Sequence, residues 1–136
     1  MIQDIVKDVF FLGKKSEDAS EADRQVITDL VDTLRANHDR CVGMAANMIG
    51  VRKKIIIVNS GLSYIIMVNP KIISKKEKYE TEEGCLSLVG ERRTERYKEI
   101  EVEYLDSSFN KCRQIFKGYV AQIIQHEIDH CNGIII

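Results

Sequence analysis

The chain has only one proline, Pro70, and no long apolar run. A helix that crosses a bilayer needs roughly 20 mostly apolar residues, and no stretch of this sequence approaches that length. Internal repeats, low-complexity blocks and linker-like stretches are also absent. A chain of 136 residues without a linker has the size of one ordinary domain, so we expect a single domain over residues 1–136.

An excess of charge of one sign is missing as well. The sequence has 20 lysines and arginines against 21 acidic residues, which gives no support for a nucleic-acid partner or an anionic membrane surface. The first residues, Met1 to Asp4, have neither the basic start nor the apolar stretch of a signal peptide. We therefore expect a cytoplasmic protein that is a monomer or a weak homo-oligomer, with no membrane or nucleic-acid partner.

The four cysteines form no CxxC pair. In a reducing compartment they are expected to be thiols rather than disulfides. Any metal ligand among Cys41, Cys85, Cys112 and Cys131 would therefore act singly.

Two helices are indicated by the spacing of apolar residues. Ser20 and Asp23 form a capping signal, after which apolar residues recur at helical spacing and predict a helix from about Glu21 to Asn37. A second helix is predicted from Gly118 to about Cys131, because Asn132-Gly133 is a typical C-terminal stop.

The middle of the chain has the pattern of β-strands, with apolar alternation and turn-forming clusters between the apolar runs. The first two predicted strands form a hairpin, and the third, which is more polar, suits a sheet edge. Strands gathered between two helices predict an α+β fold in which the second helix packs on the sheet. The predicted strands are Ile55–Val58, Tyr64–Val68, Lys71–Tyr79, Glu99–Tyr104 and Cys112–Phe116.

The segment from Gln125 to His130, with the sequence QHEIDH, carries the strongest chemical signal. Histidines four residues apart lie on one face of an α-helix, so both imidazoles can reach one metal ion. Glu127, beside the first histidine, is placed as the general base of a zinc hydrolase. Tyr119 and Ile123 share this face and would form an apolar wall. The alternative, a helix with two surface or capping histidines, is disfavoured because the chain has only three histidines.

Cys85 is the leading candidate for the third ligand that two histidines require. A lone cysteine is most often a small buried apolar residue, but with two imidazoles it gives a Cys-His-His set with one tetrahedral position left for water. Cys112 and Cys131 are weaker candidates, since Cys131 points about 100° away from His130 on the helix.

The stretch from Cys41 to Gly50 packs small residues between glycines. This composition is typical of backbone that runs close to a ligand or another element, although a tight loop into the first strand would look the same. No Gly-Lys-Ser/Thr follows it, so nucleotide binding is disfavoured.

In this order the three stretches resemble the peptide deformylase family, over roughly residues 40 to 136. That family carries Gly-x-Gly-Leu-Ala-Ala-x-Gln, Glu-Gly-Cys-Leu-Ser and Gln-His-Glu-x-Asp-His, and the second and third are matched letter for letter. The resemblance implies a peptide-deformylase-like α+β fold with mostly antiparallel sheets around a C-terminal metal-binding helix. It also implies removal of the N-formyl group from the initiator methionine of N-formylmethionyl peptides or nascent chains.

The resemblance further implies roles for individual residues. Cys85, His126 and His130 would hold one divalent metal ion, commonly Fe²⁺ in the family, with Zn²⁺ or Ni²⁺ able to occupy the site. Glu127 would be the general base and acid, and the backbone N–H of Leu86 would bind the formyl oxygen as it becomes an oxyanion. No organic cofactor is expected.

The peptide is expected to bind extended along a strand edge, backbone to backbone, with its methionine side chain against the apolar wall. Glu83 is also expected to pair with Arg96 and so to steady the loop that carries Cys85. The residues expected to contact the peptide are Gly43, Met44, Glu83, Tyr119 and Ile123.

Met48 departs from the family, whose glutamine amide shares the binding of the oxyanion. A thioether cannot donate a hydrogen bond, and losing one oxyanion donor costs on the order of 10²–10³ in rate. Three outcomes follow: a slower deformylase, in which Asn47 is a possible substitute donor; a hydrolase of another amide; or a non-catalytic protein that binds peptide N-termini or a regulatory partner. We favour slow activity. A generic zinc peptidase fits less well, because such enzymes usually take the third ligand from downstream of the helix.

Overall fold

The computed structural model describes residues 1–85 and 87–136, apart from the side chains of residues 88 and 89. In these ranges the α-helices are α1 (Val9–Leu12), α2 (Arg24–Ala36) and α3 (Gly118–Cys131), and short 3₁₀ helices cover Glu21–Asp23 and Ala46–Ile49. None of the described helices has both the length and the apolar character that a bilayer-spanning helix requires.

The first predicted helix is confirmed, with a 3₁₀ turn at its start. Ser20 and Asp23 form the predicted capping box, in which the Asp23 carboxylate accepts the Ser20 N–H at 2.9 Å and Ser20 Oγ accepts the N–H of Ala22 at 3.3 Å. This box caps the 3₁₀ turn. The turn continues into α2, and α2 ends near Asn37 as predicted.

The second predicted helix is confirmed over its whole length, and Gly133 stops it. Gly133 has a φ of 74°, and its N–H donates to the carbonyl of His130 at 3.1 Å. A Cβ at this position would lie 2.6 Å from the carbonyl oxygen of Gly13. Glycine is therefore required both by the backbone conformation and by the close approach of the N-terminal segment.

The described residues form one five-stranded antiparallel sheet in which each strand pairs with the next along the chain. The predicted fold class, α+β with an antiparallel sheet and a C-terminal helix, is confirmed. The strands are β1 (Gly43–Ala45), β2 (Ile55–Asn59), β3 (Tyr64–Cys85), β4 (Leu88–Leu105) and β5 (Lys111–Lys117).

The predicted division of β3 into two strands is wrong. The hairpin of Ile55–Val58 with Tyr64–Val68 is present, but the chain continues without a break to Cys85 and pairs with β4 along that length. Asn69 takes a φ of 51° at the first register shift. Its side chain both accepts from and donates to the backbone of Ala19. A tertiary contact therefore holds Asn69, which the sequence pattern places at the end of a strand.

Helices cover both faces of the sheet at β2. Alternate residues of a strand point to opposite sides, and in β2 Ile56 and Val58 pack with α3 while Ile55 and Ile57 pack with α2. Burial on both faces explains why β2 is a continuous apolar run rather than an alternating one. The same packing fixes α3 beside the end of β3, where Cys85 lies.

Candidate metal centre and active site

Cys85, His126 and His130 converge at one point in the fold. Cys85 is the last residue of β3, and the two histidines lie one turn apart on α3. One ligand atom from each residue lies within 4.8 Å of the others, and the two Nε2 atoms are 3.1 Å apart. Ligands of a tetrahedral ion lie roughly 3.3–3.6 Å apart, so small side-chain shifts would bring all three into coordination. The described residues thus contain a possible metal-binding triad.

Glu83 fixes the ring of His126. Nδ1 of His126 lies 2.8 Å from Glu83 Oε1, so this nitrogen donates to the carboxylate and Nε2 faces Cys85 and His130. Burial lowers the pKa of His126, but the hydrogen bonds to Cys85 and Glu83 outweigh it and leave the pKa raised. Burial and the neighbouring His126 charge lower the pKa of His130. In the metal-free site a proton is therefore favoured on the ring of His126 and disfavoured on that of His130.

The predicted ion pair of Glu83 with Arg96 is confirmed. Arg96 donates from Nε and from its second terminal nitrogen to Glu83, with the shortest contact at 2.7 Å, and both side chains are almost fully buried. Burial raises the pKa of Glu83, but the hydrogen bonds from His126, Arg96 and Gln122 lower it to about 2. Glu83 lines the cavity, and its carboxylate is held as a charged acceptor for His126.

Three further polar residues of α3 support the site. Gln125 and Asp129 belong to the motif QHEIDH, but the sequence predicted a role for none of the three. Asp129 accepts from Arg96 at 2.7 Å, and Gln122 donates to Glu83 at 2.9 Å. Gln125 bonds both the N–H and the carbonyl of Tyr97 on β4 at 2.8 Å. Gln122 lies four residues before His126, and this helical spacing was the available signal for it.

Glu127 lies buried beside the metal-binding triad and lines the cavity. Its Oε1 has no hydrogen-bond partner among the described residues, and burial raises its pKa to about 7. A Cβ on Gly43 would lie 3.0 Å from Glu127 Oε2 and 2.6 Å from Ile123 Cγ2. Gly43 therefore leaves the space that this carboxylate and the apolar wall occupy. A carboxylate with a pKa near neutrality can both take and return a proton at physiological pH.

A cavity of about 610 Å³ opens onto these groups. Four of the five residues expected to contact a peptide line it: Gly43, Glu83, Tyr119 and Ile123. Ile123 is buried, whereas Tyr119 is 63% exposed, which gives the cavity an apolar wall open to solvent at one end. The fifth, Met44, is fully buried in the core against α2 and does not line the cavity.

Met48 lines the cavity but offers it no donor. Its side chain is 1% exposed, and its sulfur accepts the N–H of Ala45 at 3.5 Å. Asn47 does not line the cavity, and its amide nitrogen is turned to the carbonyl of His130, to which it donates at 2.9 Å, so its side chain is not placed as a substitute donor. Leu86, the other residue expected to bind the oxyanion, lies outside the described residues.

All four cysteines are free thiols, as expected. Cys112 and Cys131 lie outside the metal-binding triad, and burial raises the pKa of Cys131 to about 12. Cys41 lines the cavity, and burial likewise raises its pKa to about 12. Cys85 is therefore the cysteine that the fold brings to the histidines.

A thiolate and two imidazoles beside a buried carboxylate, carried on this α+β scaffold, are typical of metal-dependent hydrolases. The sequence model of the polypeptide deformylase family matches residues 4–136. The chain belongs to the peptide deformylase family, which is metal-dependent.

Individual relatives agree over nearly the whole chain. The chain is 60% identical to a peptide deformylase of Clostridium beijerinckii over 136 residues, which is all of both chains. It is 35% identical to peptide deformylase 2 of Clostridium acetobutylicum over 91% of this chain and 85% of the other.

Solved structures give the same result. The actinonin-bound class I type b peptide deformylase of Acinetobacter baumannii superposes with a TM-score of 0.88 at 30% identity, over 99% of this chain and 95% of the other. The same enzyme with Met-Ala-Ser bound gives a TM-score of 0.88 at 28% identity, over 99% and 96%.

Proposed function

We propose that Cys85, His126 and His130 hold one divalent metal ion and that the site removes the N-formyl group from the initiator methionine of new proteins. The observation that carries this proposal is the convergence of the three ligand atoms beside a buried Glu127 in the wall of one cavity. Family membership supports the reaction class.

The donor set suits a transition metal of intermediate softness. One thiolate and two imidazoles bind Fe²⁺, Zn²⁺ and Ni²⁺, and among these Fe²⁺ is our first choice because it is common in the family. Such an ion, when bound, supplies Lewis-acid chemistry, since it lowers the pKa of water and polarises a carbonyl group.

Glu127 is the proposed general base and acid. Its buried carboxylate takes a proton from the attacking water and passes it to the amine that leaves, so that formate and a free N-terminus result. The raised pKa of Glu127, about 7, suits both transfers. Of the two oxyanion donors that the family resemblance implies, Met48 cannot supply one, and the backbone N–H of Leu86 remains the proposed other.

The substrate is proposed to bind along β1. Among the described residues β1 lies at the edge of the sheet and pairs only with β2, and Gly43 lines the cavity. The other side of β1, beside Gly43 and Met44, is where we propose that an extended peptide pairs with the backbone. The methionine side chain would then lie against Ile123 and Tyr119. The Acinetobacter baumannii relative has been solved with the peptide Met-Ala-Ser, which supports a peptide of this kind as the ligand.

The cellular setting, the partners and the oligomeric state are also part of the proposal. A newly synthesised chain is met in the cytoplasm, where we place the activity. The balance of 20 basic and 21 acidic residues gives no reason to add nucleic acid to the partners, and we propose a monomer or a weak homo-oligomer.

A second candidate function is favoured by Met48. A protein that keeps the ion and the cavity but lacks an oxyanion donor would bind peptide N-termini without turning them over. An amidase for another substrate would keep the same ion and base. Its substrate would carry a different acyl group in place of formyl.

The test is an assay of anaerobically purified, Fe²⁺-loaded protein on formyl-Met-Ala-Ser, with acetyl-Met-Ala-Ser as the matched control. We expect formate release from the first peptide and slow or no release of acetate from the second. A protein that carries its ion and binds the formylated peptide, yet releases no formate, would instead be the binding protein. Faster cleavage of the acetylated peptide would identify an amidase of different specificity.

A further inference from the structure

Gln122 lies on α3 between Tyr119 and the metal-binding histidines, and its side chain lines the cavity together with Ile123. It is half-buried. Its neighbours in this wall, Tyr119 and Ile123, present apolar surface, so the amide of Gln122 is a polar point in an otherwise apolar stretch. In ligand sites a few such polar groups usually fix specificity.

The orientation of the Gln122 amide follows from its partner. Glu83 accepts from Arg96 and from His126, and an ionised carboxylate can only accept hydrogen bonds. The group of Gln122 that lies 2.9 Å from Glu83 Oε2 must therefore be its NH₂ nitrogen. That nitrogen has two hydrogens, and Glu83 uses one of them. Among the described residues the other hydrogen has no partner, and a ligand in the cavity can take it.

We propose that Gln122 is a specificity-determining residue that donates this second N–H to the thioether sulfur of the substrate's first side chain. The inference rests on the proposed function, in which that side chain lies against Ile123 and Tyr119. A thioether sulfur is a weak acceptor, whereas the methylene of norleucine, which has nearly the same shape, accepts nothing. Burial of apolar surface favours norleucine at least as much as methionine, so a preference for methionine requires a contact specific to its sulfur. Loss of the preference on replacing Gln122, with Tyr119 unchanged, assigns that contact to the amide rather than to packing of sulfur on the aromatic ring.

The size of the preference follows from the strength of one hydrogen bond. A single neutral hydrogen bond of this kind gives roughly a 3- to 10-fold effect on an equilibrium or a rate. We expect kcat/KM for formyl-Met-Ala-Ser to exceed that for formyl-norleucine-Ala-Ser by this factor. Gln122 also holds Glu83, and that positioning role would change both substrates equally, so the ratio of the two separates specificity from positioning.

The experiment measures this ratio in the Fe²⁺-loaded parent protein and in three variants. Gln122→Leu removes the donor and keeps a side chain of similar size. Gln122→Ala also removes the donor, and it serves as a second variant in case the branched leucine disturbs the fold. Gln25→Leu is the matched control, because Gln25 donates to the carboxylate of Asp29 at 3.0 Å on the exposed face of α2.

The ratio is expected to fall to about one in both Gln122 variants and to keep the parent value in Gln25→Leu. A parent ratio near one, or a ratio that survives both Gln122 substitutions while formyl-Met is still hydrolysed, would overturn the role of Gln122 and leave the deformylase proposal standing. No hydrolysis of either peptide by the parent would mean that the proposed function fails and the inference with it.

Discussion

The carboxylate of Glu83 lies 2.8 Å from Nδ1 of His126, although the two residues are 43 positions apart in the chain. This contact makes Nδ1 the donor and turns Nε2 toward Cys85 and His130. Arg96 donates to the same carboxylate oxygen and is itself held by Asp129. The orientation of His126, a proposed metal ligand, thus depends on a buried network of charged groups rather than on its helix alone.

Replacing Met48 tests the oxyanion contribution. Met48→Gln restores an amide donor at the cavity wall, and we expect kcat/KM on formyl-Met-Ala-Ser to rise by one or more orders of magnitude. Met48→Leu is the control, because leucine keeps an apolar side chain of similar size and supplies no donor. Equal activity of the glutamine and leucine variants would show that position 48 does not bind the developing oxyanion.

Replacing Glu127 tests the proton transfer. Glu127→Ala should lower kcat by about 10²–10⁴-fold, which is the usual contribution of a general base. Metal content, measured by mass spectrometry of the purified protein, should stay at the parent level because the proposed ligands are unchanged. An alanine variant that keeps its ion and most of its activity would exclude Glu127 as the base.

Replacing Cys85 tests the metal centre. Cys85→Ala removes the only thiolate of the metal-binding triad, and we expect the bound ion to fall from about one per chain to near zero after dialysis. Cys112→Ala is the matched control, since Cys112 is also a half-buried free thiol but lies on β5, outside the triad. Full metal content in Cys85→Ala would mean that the histidines bind the ion with a different third ligand.

Replacing Gly43 tests the packing of the general base. The added methyl of Gly43→Ala would lie 2.6 Å from Ile123 and 3.0 Å from Glu127, so both must move. We expect kcat/KM to fall at least about tenfold, because small displacements of catalytic groups are costly. Gly84→Ala is the control: its new methyl would meet nothing closer than 3.7 Å. A larger loss in the Gly84 variant would contradict the assignment.

Burial of Glu127 predicts a pH-dependent cost in stability. Its pKa rises from the ordinary value of 4.5 to about 7 in the folded, metal-free protein, so the folded state binds more protons between these values than the unfolded state does. The ionised carboxylate therefore destabilises the fold, with the full penalty above pH 7 and none below pH 4.5. At 1.36 kcal/mol per pKa unit this penalty is roughly 3 kcal/mol.

The matched comparison is Glu127→Gln, which keeps the shape and cannot ionise. In chelator-treated protein the glutamine variant should be more stable than the parent at pH 8, and the two free energies of unfolding should converge as the pH falls toward 4.5. Urea unfolding at both pH values measures this. A glutamine variant that is less stable at pH 8 would contradict the raised pKa.

Local elements were predictable because they depend on neighbours in the chain. The spacing of His126 and His130 on one helix face is set by 3.6 residues per turn, and the capping box at Ser20 involves residues three apart. The hairpin of β2 with the start of β3 follows from two apolar runs and the turn between them. Cys85 could be predicted as a candidate ligand because two histidines need a third ligand to complete a metal site.

Contacts between distant segments were not predictable in this way. Asn69 looks like a strand end in the sequence, yet β3 continues past it to Cys85, and its side chain is held by the backbone of Ala19, 50 residues away. Asn47 could have faced the cavity, but it donates to the carbonyl of His130. The way α3 docks on the sheet decides which hydrogen-bond partner the Asn47 side chain finds.

The sequence by itself determined the helix that carries both histidines on one face, the first hairpin and the types of the candidate ligands, since these follow from periodicity and from the chemistry of single side chains. The tertiary structure alone decided how the ring of His126 is held, where Gln122 points and why position 43 has no side chain. Those features arise from the register of β3 against β4 and from the packing of α3, and pairings across tens of residues leave no periodic signal in the chain.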